Sequence, residues 1–206
     1  MRRLVLKMSM TLDGYVAGPN GEIDWIMRNR DPEATDWIEQ TLWQAGAHLM
    51  GRRTYADMIG YWPTSTEPLA APMNAIPKIV FSRSGRLSLE PTMALENATE
   101  ARQASGLPTA PPAPGWNDTT VLGSDLTADI IALKAEPGKD LLAHGGSSFA
   151  QALVRLGLVD EYRLIVHPVV LGSGLPLFNG AKPFDLTLTH TKSFPSGTQG
   201  LVYIPS

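Results

Sequence analysis

The sequence predicts an α/β fold with a mostly parallel sheet and antiparallel strands at its C-terminal end. Short apolar runs alternate with segments of helical apolar spacing along most of the chain, and two strand-like runs close it. Alternating strands and helices are typical of parallel sheets, whereas consecutive strands are typical of antiparallel ones. A second observation is the Gly-Gly turn in LLAHGGSSFAQALVRLGL, which joins an apolar run directly to a helical pattern.

The strand-like runs are short and end at turn-forming residues. The first alternates from Arg3 to Met10, and a long loop follows at residues 11–31, of the kind that often serves as a lid or binding loop. The run PKIVFS at residues 77–82 is continuously apolar, as in a strand buried on both faces. Further predicted strands cover residues 48–50, 119–122, 140–143, 161–167, 186–194 and 199–204.

The predicted helices have recognisable starts. Asp31-Pro32-Glu33 is expected to open a helix through about Gly46, because proline and acidic residues favour the first helical turn. Other helices are expected from Gly51 onward, at residues 126–135, and after the Gly-Gly turn. In the last of these, apolar residues recur with helical spacing at Phe149, Leu153, Leu156 and Leu158.

Length and composition suit a single domain that spans residues 1–206. The 206 residues are 43% apolar, which is enough to fill one core. A Pro/Ala-rich insertion is predicted at about residues 86–115. Within it, residues 106–115 contain LPTAPPAPG, which cannot continue a helix or a central strand, so we expect a flexible surface segment with no core of its own.

Composition also excludes several classes of function. The net charge of −3 and the absence of a basic run give no footprint for nucleic acid. Lys7 and Asp13 interrupt the apolar start, so we expect no signal peptide or membrane span and a cytoplasmic location. There is no cysteine, and the four histidines lack the HxxxH and HExxH spacings, so no metal site is predicted.

Three turns that follow predicted strands have the chemistry of phosphate binding. They are Gly51-Arg52-Arg53-Thr54, Ser82-Arg83-Ser84 and Gly145-Gly146-Ser147-Ser148. Each has a simpler reading by itself: a capped helix with solvated arginines, a solvated arginine, or a tight turn that needs glycine. Because the carboxyl ends of parallel strands share one sheet edge, the three together predict a nucleotide site there.

The segments SMTLDGYVAG, LMGRRTY, KIVFSRS and HGGSSFAQALVRLGLVDEYRLIVHPVVLGSGLPLF occur in that order. In this order the chain resembles the dihydrofolate-reductase-like family that includes the C-terminal reductase domain of the bifunctional riboflavin biosynthesis protein. The resemblance covers nearly the whole chain outside residues 86–115. It implies a three-layer α/β fold with a mixed, mostly parallel sheet of about eight strands, and hydride transfer from NADPH to a pterin-like or pyrimidine-like substrate.

The resemblance also assigns roles to the turns. Gly51, Arg52, Arg53 and Thr54 match the phosphate turn, Ser82 and Arg83 the adenosine-phosphate end of NADPH, and Gly145, Gly146, Ser147 and Ser148 the pyrophosphate turn. Asp13, within Thr11-Leu12-Asp13-Gly14, matches a cofactor-side loop position of the riboflavin branch and is a candidate catalytic residue.

Three further residues are candidates with open alternatives. His144 stands where the riboflavin reductase has a substrate-holding glutamate; it could contact substrate, or it could be satisfied by backbone. Asp36 lies near the position of the carboxylate that pairs with the pterin ring in the dihydrofolate branch, and could be catalytic or a helix-terminal charge. Trp62 could bind substrate or be a core or lid aromatic residue.

The family resemblance therefore predicts an NADPH-dependent reductase with a small-molecule substrate. In the family, strands equivalent to residues 161–167 pair two subunits, so a homodimer is expected. The alternative is a dimeric nucleotide-binding module that does not turn over. A substrate other than a ribityl or ribosyl compound is left open, because His144 departs from the riboflavin reductase pattern.

Overall fold

A computed structural model describes residues 1–87, 93–106, 108–116 and 118–206. Its ten strands are β1 (Leu4–Thr11), β2 (Tyr15–Ala17), β3 (Ala45–Gly51), β4 (Lys78–Phe81), β5 (Thr120–Leu122), β6 (Asp140–Ala143), β7 (Glu161–His167), β8 (Leu175–Pro176), β9 (Leu186–Ser193) and β10 (Gln199–Pro205). Eight of them form one sheet in the order β5-β4-β3-β6-β1-β7-β10-β9, and β2 pairs with β8.

The main sheet is parallel except at one end. Strand β1 runs parallel to both of its neighbours, β6 and β7, and the pairs β3–β6, β3–β4 and β4–β5 are also parallel. Strand β10 is antiparallel to β7 and to β9. This confirms the predicted mixed sheet with its antiparallel strands at the C-terminal end.

Helices cover both faces of the sheet and complete three layers. They are α1 (Asp24–Arg28), α2 (Pro32–Trp43), α3 (Arg52–Tyr61), α4 (Ala70–Ala75), α5 (Met93–Ala104), α6 (Leu126–Ala135) and α7 (Ser147–Arg155), with a 3-10 helix at Trp62–Thr64. One core cluster joins Leu4 and Leu6 to α6 and α7. Another joins Val5 to α2, α3 and α4 on the opposite face, because successive strand residues point to opposite sides.

The ends of α2 and β3 differ from the prediction. Helix α2 ends at Trp43 instead of about Gly46, and β3 begins at Ala45 instead of His48. Gly46 lies so close to the neighbouring chain that an added Cβ would sit 2.9 Å from the carbonyl oxygen of Lys139. The small residues of Ala45-Gly46-Ala47 therefore allow a close strand approach, which the helical spacing of the sequence did not reveal.

Two other expectations need correction. The predicted loop at residues 11–31 contains β2 and α1. Leu156, predicted to lie on the apolar face of the last helix, follows the end of α7 and is 51% exposed, whereas Phe149 and Leu153 are buried as expected.

The insertion contains structure that its composition did not predict. Helix α5 lies within residues 86–115 and packs beside α3. The predicted flexible segment at 106–115 is tied down in part, because Ala110 and Ala113 donate backbone hydrogen bonds to the carbonyl oxygens of Thr64 and Pro63 at 2.9 and 2.8 Å. Trp116 then returns the chain to the core and is 2% exposed. Residues 88–92 and 107 of the predicted insertion lie outside the described residues.

In the described ranges, no helix has both the length and the apolar character that a bilayer crossing requires.

Candidate active site

Four turns meet at one edge of the sheet. The three predicted phosphate turns follow β3, β4 and β6, and a fourth, Gly123-Ser124, follows β5. These strands are adjacent in the order β5-β4-β3-β6, so the turns form a continuous row at their carboxyl ends. We call this row the turn end of the site. The sequence analysis did not predict the fourth turn. In that turn, Gly123 lies so close to Ser82 that an added Cβ would sit 2.9 Å from the backbone nitrogen of Ser82.

The turn end opens into a cleft of about 1810 Å³. The predicted cofactor-binding residues that line it are Gly51, Arg52, Arg53, Thr54, Ser82, Arg83, Gly146, Ser147 and Ser148. Of the predicted substrate or catalytic residues, Asp36, Trp62 and His144 line the same cleft. The fold thus brings together residues that are more than a hundred positions apart in the sequence.

Helices α3 and α7 begin at this edge without a side-chain cap. Their N-cap residues are Gly51 and Gly146, and neither first turn receives a hydrogen bond from a capping side chain. By contrast, Asp31 caps α2 by accepting from the backbone N–H groups of Glu33 and Ala34 at 2.9 and 3.2 Å. An uncapped first turn leaves backbone donors and the positive end of the helix dipole for an anion. Both of these helix ends therefore suit phosphate.

The Gly-Gly turn needs glycine at both positions. Gly145 has a φ of +91°, and a Cβ there would sit 3.0 Å from the sulfur of Met8. A Cβ on Gly146 would sit 2.9 Å from the hydroxyl oxygen of Thr54. The peptide bond between the two glycines is cis. Gly145 itself does not line the cleft; its carbonyl oxygen accepts a hydrogen bond of 3.1 Å from Gly51, which joins two of the turns.

The arginines of the turn end are free to reach a ligand. Arg52, Arg53 and Arg83 are all exposed at the cleft. Ser82 differs, because its buried hydroxyl donates to the carbonyl oxygen of Arg86 at 2.7 Å. Ser84 is exposed at the cleft and its hydroxyl donates to the hydroxyl oxygen of Ser82 at 3.2 Å, a contact that it can exchange for one to a ligand.

The floor at the other end of the cleft combines one lysine with three histidines. Lys7 of β1, His144 after β6 and His167 of β7 line the cleft, and His48 of β3 packs against His144 with 4.5 Å between ring centroids. Lys7 lies on the same sheet face as Val5, the face that α2 and α3 cover. We call this part of the cleft the inner end. It consists of the floor around Lys7 and His144 and of the walls formed by α1, the start of α2 and the 3-10 helix.

Burial keeps the imidazoles of the floor neutral. Burial, and next the charge of Lys78, lower the pKa of His48 to about 3. Burial, followed by the charge of Lys7, lowers the pKa of His167 to about 4, and burial together with His48 and Lys7 lowers the pKa of His144 well below its ordinary value. Burial alone lowers the pKa of Lys7 to about 8. Near neutral pH, Lys7 is thus the cation of this floor.

The polar atoms of the floor have few partners. The ammonium group of Lys7 makes no ion pair or hydrogen bond with the residues that the structure describes. Within the same ranges, the buried Nε2 of His144 and both ring nitrogens of His167 also lack a partner. Since buried polar groups are nearly always hydrogen-bonded, these unpartnered atoms beside the cleft are candidate contacts for a bound molecule. No group of three or more His, Asp or Glu residues in the described parts of the chain could hold a metal ion.

The wall of the inner end holds an ion pair and two aromatic residues. Nη2 of Arg30 lies 3.2 and 3.0 Å from the two carboxylate oxygens of Glu67. The hydroxyl of Tyr61 also donates to this carboxylate, and the ring of Trp62 packs edge-on against Tyr61 with centroids 5.1 Å apart. Trp62 therefore lies in the cleft wall. Asp36, on α2, is exposed at the same wall.

Asp13 lies outside the cleft lining. Its carboxylate accepts hydrogen bonds from the hydroxyl of Thr11 at 2.6 Å and from the backbone N–H groups of Leu171 and Gly172, the closest at 2.8 Å. The hydrogen bonds from Thr11, Gly172 and Leu171 lower its pKa. These contacts fix the loop after β1 to the loop after β7, so Asp13 has a structural role, and its catalytic role stays a prediction.

Sequence reasoning missed Lys7, Arg30 and Glu67 as site residues. Lys7 did leave a signal, because it is a lone charge in the otherwise apolar LVLKMSM run of β1. Arg30 and Glu67 left none, since their pairing joins positions 37 residues apart.

The fold and the cleft define an α/β protein of the dihydrofolate-reductase-like type. The dihydrofolate reductase of Enterococcus faecalis, complexed with NADP(H) and RAB-propyl, aligns with a TM-score of 0.57 at 14% identity over 99% of this chain and 96% of that one. A putative riboflavin biosynthesis protein from Shewanella sp. PV-4 aligns with a TM-score of 0.69 at 19% identity, over 100% of this chain and 99% of that one. These likenesses confirm the predicted fold.

The chain belongs to the RibD C-terminal domain family, whose model matches residues 2–200. It is 32% identical over 209 residues to the uncharacterized protein YyaP of Bacillus subtilis (strain 168), covering 98% of this chain and 94% of the relative. The diaminohydroxyphosphoribosylaminopyrimidine deaminase/5-amino-6-(5-phosphoribosylamino)uracil reductase of Thermotoga maritima aligns with a TM-score of 0.65 at 17% identity, over 100% of this chain and 57% of that one. The family match supports a reductase-type oxidoreductase.

Proposed function

We propose that the protein is an NADPH-dependent reductase that transfers hydride to a small heterocyclic, pterin-like or pyrimidine-like substrate. The observation that carries the proposal is the pair of uncapped helices, α3 and α7, whose N-termini open into one cleft beside three exposed arginines. Two helix ends and several guanidinium groups suit a ligand with more than one phosphate.

The residues of the turn end fit NADPH. The first turns of α3 and α7 would hold the pyrophosphate, with the Gly145–Gly146 turn letting the backbone come close. Arg83 and Ser84 would hold the additional phosphate that distinguishes NADPH from NADH, because a planar guanidinium binds phosphate in a bidentate way. When bound, NADPH supplies a hydride for an electron-poor C=N or C=O carbon.

Lys7 would act on the acceptor at the inner end. Its ammonium group is partly buried, lines the cleft and has no partner in the described residues. It would donate a hydrogen bond to the nitrogen or oxygen of the acceptor and then transfer its proton to that atom, while the adjacent carbon gains the hydride. Water would return the proton to Lys7. A pKa of about 8 keeps the lysine mostly protonated near neutral pH.

His144 would orient the substrate. Its imidazole is neutral because of its lowered pKa, and its Nε2 lacks a partner in the described residues. A neutral imidazole can donate or accept a single hydrogen bond at that nitrogen, whereas a glutamate would only accept there. His144 therefore favours a different substrate group from the one that a glutamate would hold.

The test begins with NADPH binding. We expect NADPH to change the tryptophan fluorescence in a saturable way, and Arg52→Ala and Arg83→Ala each to weaken that binding by about tenfold, as for the loss of a charged hydrogen bond. Lys182→Ala is the control, because Lys182 is exposed and lies outside the cleft lining. Unchanged affinity in both arginine variants would refute the proposed cofactor cleft.

Turnover is measured separately, as loss of NADPH absorbance with a panel of pterins and pyrimidines. Oxidation of NADPH with any of them supports the reductase. Saturable NADPH binding without oxidation under every acceptor would favour the alternative, a dimeric nucleotide-binding module.

We also propose a homodimer. Strand β7, which the resemblance suggested as the subunit contact, is hydrogen-bonded on both sides, to β1 and β10, so it cannot pair with a second chain. Strand β9 is one of the two edge strands of the main sheet and is largely exposed. Leu188 of β9 and Ile204 of β10 are 48% and 39% exposed, and Phe178 and Phe184 are exposed nearby. Exposed apolar clusters of this kind often mark contacts between proteins. Light scattering should report twice the chain mass, and Leu188→Lys should shift the protein toward the monomer.

The single domain over residues 1–206 and the cytoplasmic location stay proposals. Limited proteolysis that released one stable fragment of about full length would support the single domain. Cell fractionation would test the location.

A further inference from the structure

The two ends of the cleft differ in how their charges are used. At the turn end, Arg52, Arg53 and Arg83 are exposed. At the inner end, the cations among the described lining residues are Lys7 and Arg30. Arg30 is already paired with both oxygens of Glu67, whose side chain is only 9% exposed. Only Nη2 of the guanidinium makes this pair, but the carboxylate beside it cancels most of the positive charge that a second anion would meet.

Carboxylates outnumber cations at the inner end. Glu67, Asp31 and Asp36 line it, against Lys7 and Arg30. Asp31 is held as the cap of α2 and also accepts a hydrogen bond of 2.8 Å from the backbone of Ser196, and these contacts lower its pKa, so it stays charged near neutral pH. A phosphate bound here would face net negative charge, and among the described lining residues of this end Lys7 is the cation without a carboxylate partner.

The remaining lining of the inner end is apolar. Its walls include Ile23, Ile26, Met27, Ile38, Trp62 and Leu69. Apolar and aromatic walls with a few directed polar groups are the usual lining for a flat organic ligand. The unpartnered nitrogen of His144 and the ammonium of Lys7 supply those polar groups at the floor.

We propose that the substrate is an uncharged acceptor with a flat heterocyclic ring and no phosphate. This inference rests on the proposed reductase function and concerns the same cleft. It separates this protein from a reductase of a phosphoribosyl compound, the substrate class that the name of the Thermotoga maritima relative states.

Glu67 is the residue that sets this preference. Its carboxylate occupies Arg30 and receives the hydroxyl of Tyr61. Arg102 of α5 stabilises that tyrosine, with its guanidinium 4.7 Å from the ring centroid and a hydrogen bond of 3.1 Å to the tyrosine carbonyl. Helix α5 of the insertion thereby helps to hold the inner wall in place.

The test compares three probes on the NADP⁺-loaded protein by calorimetry. They are 7,8-dihydropterin, 5-amino-6-(ribosylamino)uracil and the 5′-phosphate of the second compound. We expect at least one neutral probe to bind about tenfold more tightly than the phosphate, or better. Tighter or equal binding of the phosphate overturns the inference, and so does the absence of saturable binding by both neutral probes.

Glu67→Gln sharpens the test. The change removes a negative charge and releases Arg30, so we expect the phosphate probe to gain about fivefold in affinity relative to the neutral probes, the scale of one ion pair near a surface. Glu100→Gln is the matched control, since Glu100 is exposed on α5 and outside the cleft lining. Asp36→Asn provides a second variant if Glu67→Gln unfolds early. If neither variant changes the affinity for the phosphate probe, the carboxylates of the inner end do not disfavour phosphate, and the inference is wrong.

The two proposals fail in different ways. If neutral probes bind and NADPH is never oxidised, the reductase function fails while the substrate class stands. If NADPH is oxidised mainly with the phosphorylated acceptor, the reductase stands and the substrate class fails.

Discussion

The turn end of the cleft presents exposed arginines and two helix N-termini without side-chain caps, whereas the inner end presents apolar walls and an arginine already paired with Glu67. At the turn end, backbone donors and solvated guanidinium groups can accept an anion at little cost. At the inner end, the same anion would meet a guanidinium whose charge Glu67 largely cancels, together with neighbouring carboxylates. The contrast teaches that one cleft can bind a highly charged molecule at one end and exclude charge at the other.

Lys7→Met tests the inner end with the largest expected effect. Without the ammonium, the acceptor loses its proton donor, and we expect the rate of NADPH oxidation to fall by about 100-fold or more. NADPH affinity should change by less than about threefold, because the variant leaves the four turns intact. Stopped-flow oxidation and fluorescence titration measure the two quantities. An equal loss of oxidation rate and of NADPH affinity would show that the two ends of the cleft do not act separately.

The pH dependence of the reaction follows from the same lysine. Its pKa is lowered to about 8, and the protonated form is the one that donates. The rate should therefore be level below pH 7 and fall as the pH rises through about 8, approaching tenfold for each further pH unit. The histidines of the floor, whose pKa values are lowered, add no loss between pH 6 and 8. A rate that rises through pH 8 would assign the lysine a different role.

Gly145→Ala tests the turn end with a smaller effect, on stability. A side chain at a φ of +91° is strained, and the new Cβ would sit 3.0 Å from the sulfur of Met8. We expect a loss of about 1–2 kcal/mol in the free energy of unfolding, seen as a lower Tm. Gly157→Ala is the matched control, because Gly157 has a φ of +63° with no atom within 4 Å of its Cβ. Equal losses in the two variants would mean that the contact with Met8 costs nothing.

The two ends of the cleft also differ in how well they could be predicted from the sequence. The turn end was visible because its residues are neighbours in the chain, as in Gly51–Thr54 and Gly145–Ser148, and glycines after apolar runs are a local signal. The succession of strands and helices along the chain, and the antiparallel C-terminal end of the sheet, could be predicted for a similar reason. The pattern of local apolar spacing was enough to predict them.

The inner end was largely hidden because its contacts are distant in sequence. Arg30 and Glu67 meet across 37 positions, and Arg102 reaches Tyr61 across 41. Helix α5 was missed because the prolines of the following segment dominated the composition of residues 86–115. The resemblance suggested Asp13 as a site residue, and the sequence did not show that its carboxylate accepts hydrogen bonds from the backbone of Leu171 and Gly172 outside the cleft lining.

Backbone hydrogen exchange with and without NADPH tests most directly whether the turn end binds phosphate, because the proposed phosphate donors are the first-turn amides of α3 and α7. Helices α3 and α7 should gain protection at residues 52–54 and 147–149 on binding. The first turns of α2 and α6, which Asp31 and Asp125 cap, should change little. Protection that is absent from α3 and α7, or that is equal at all four helix starts, would contradict the proposed phosphate site at the turn end.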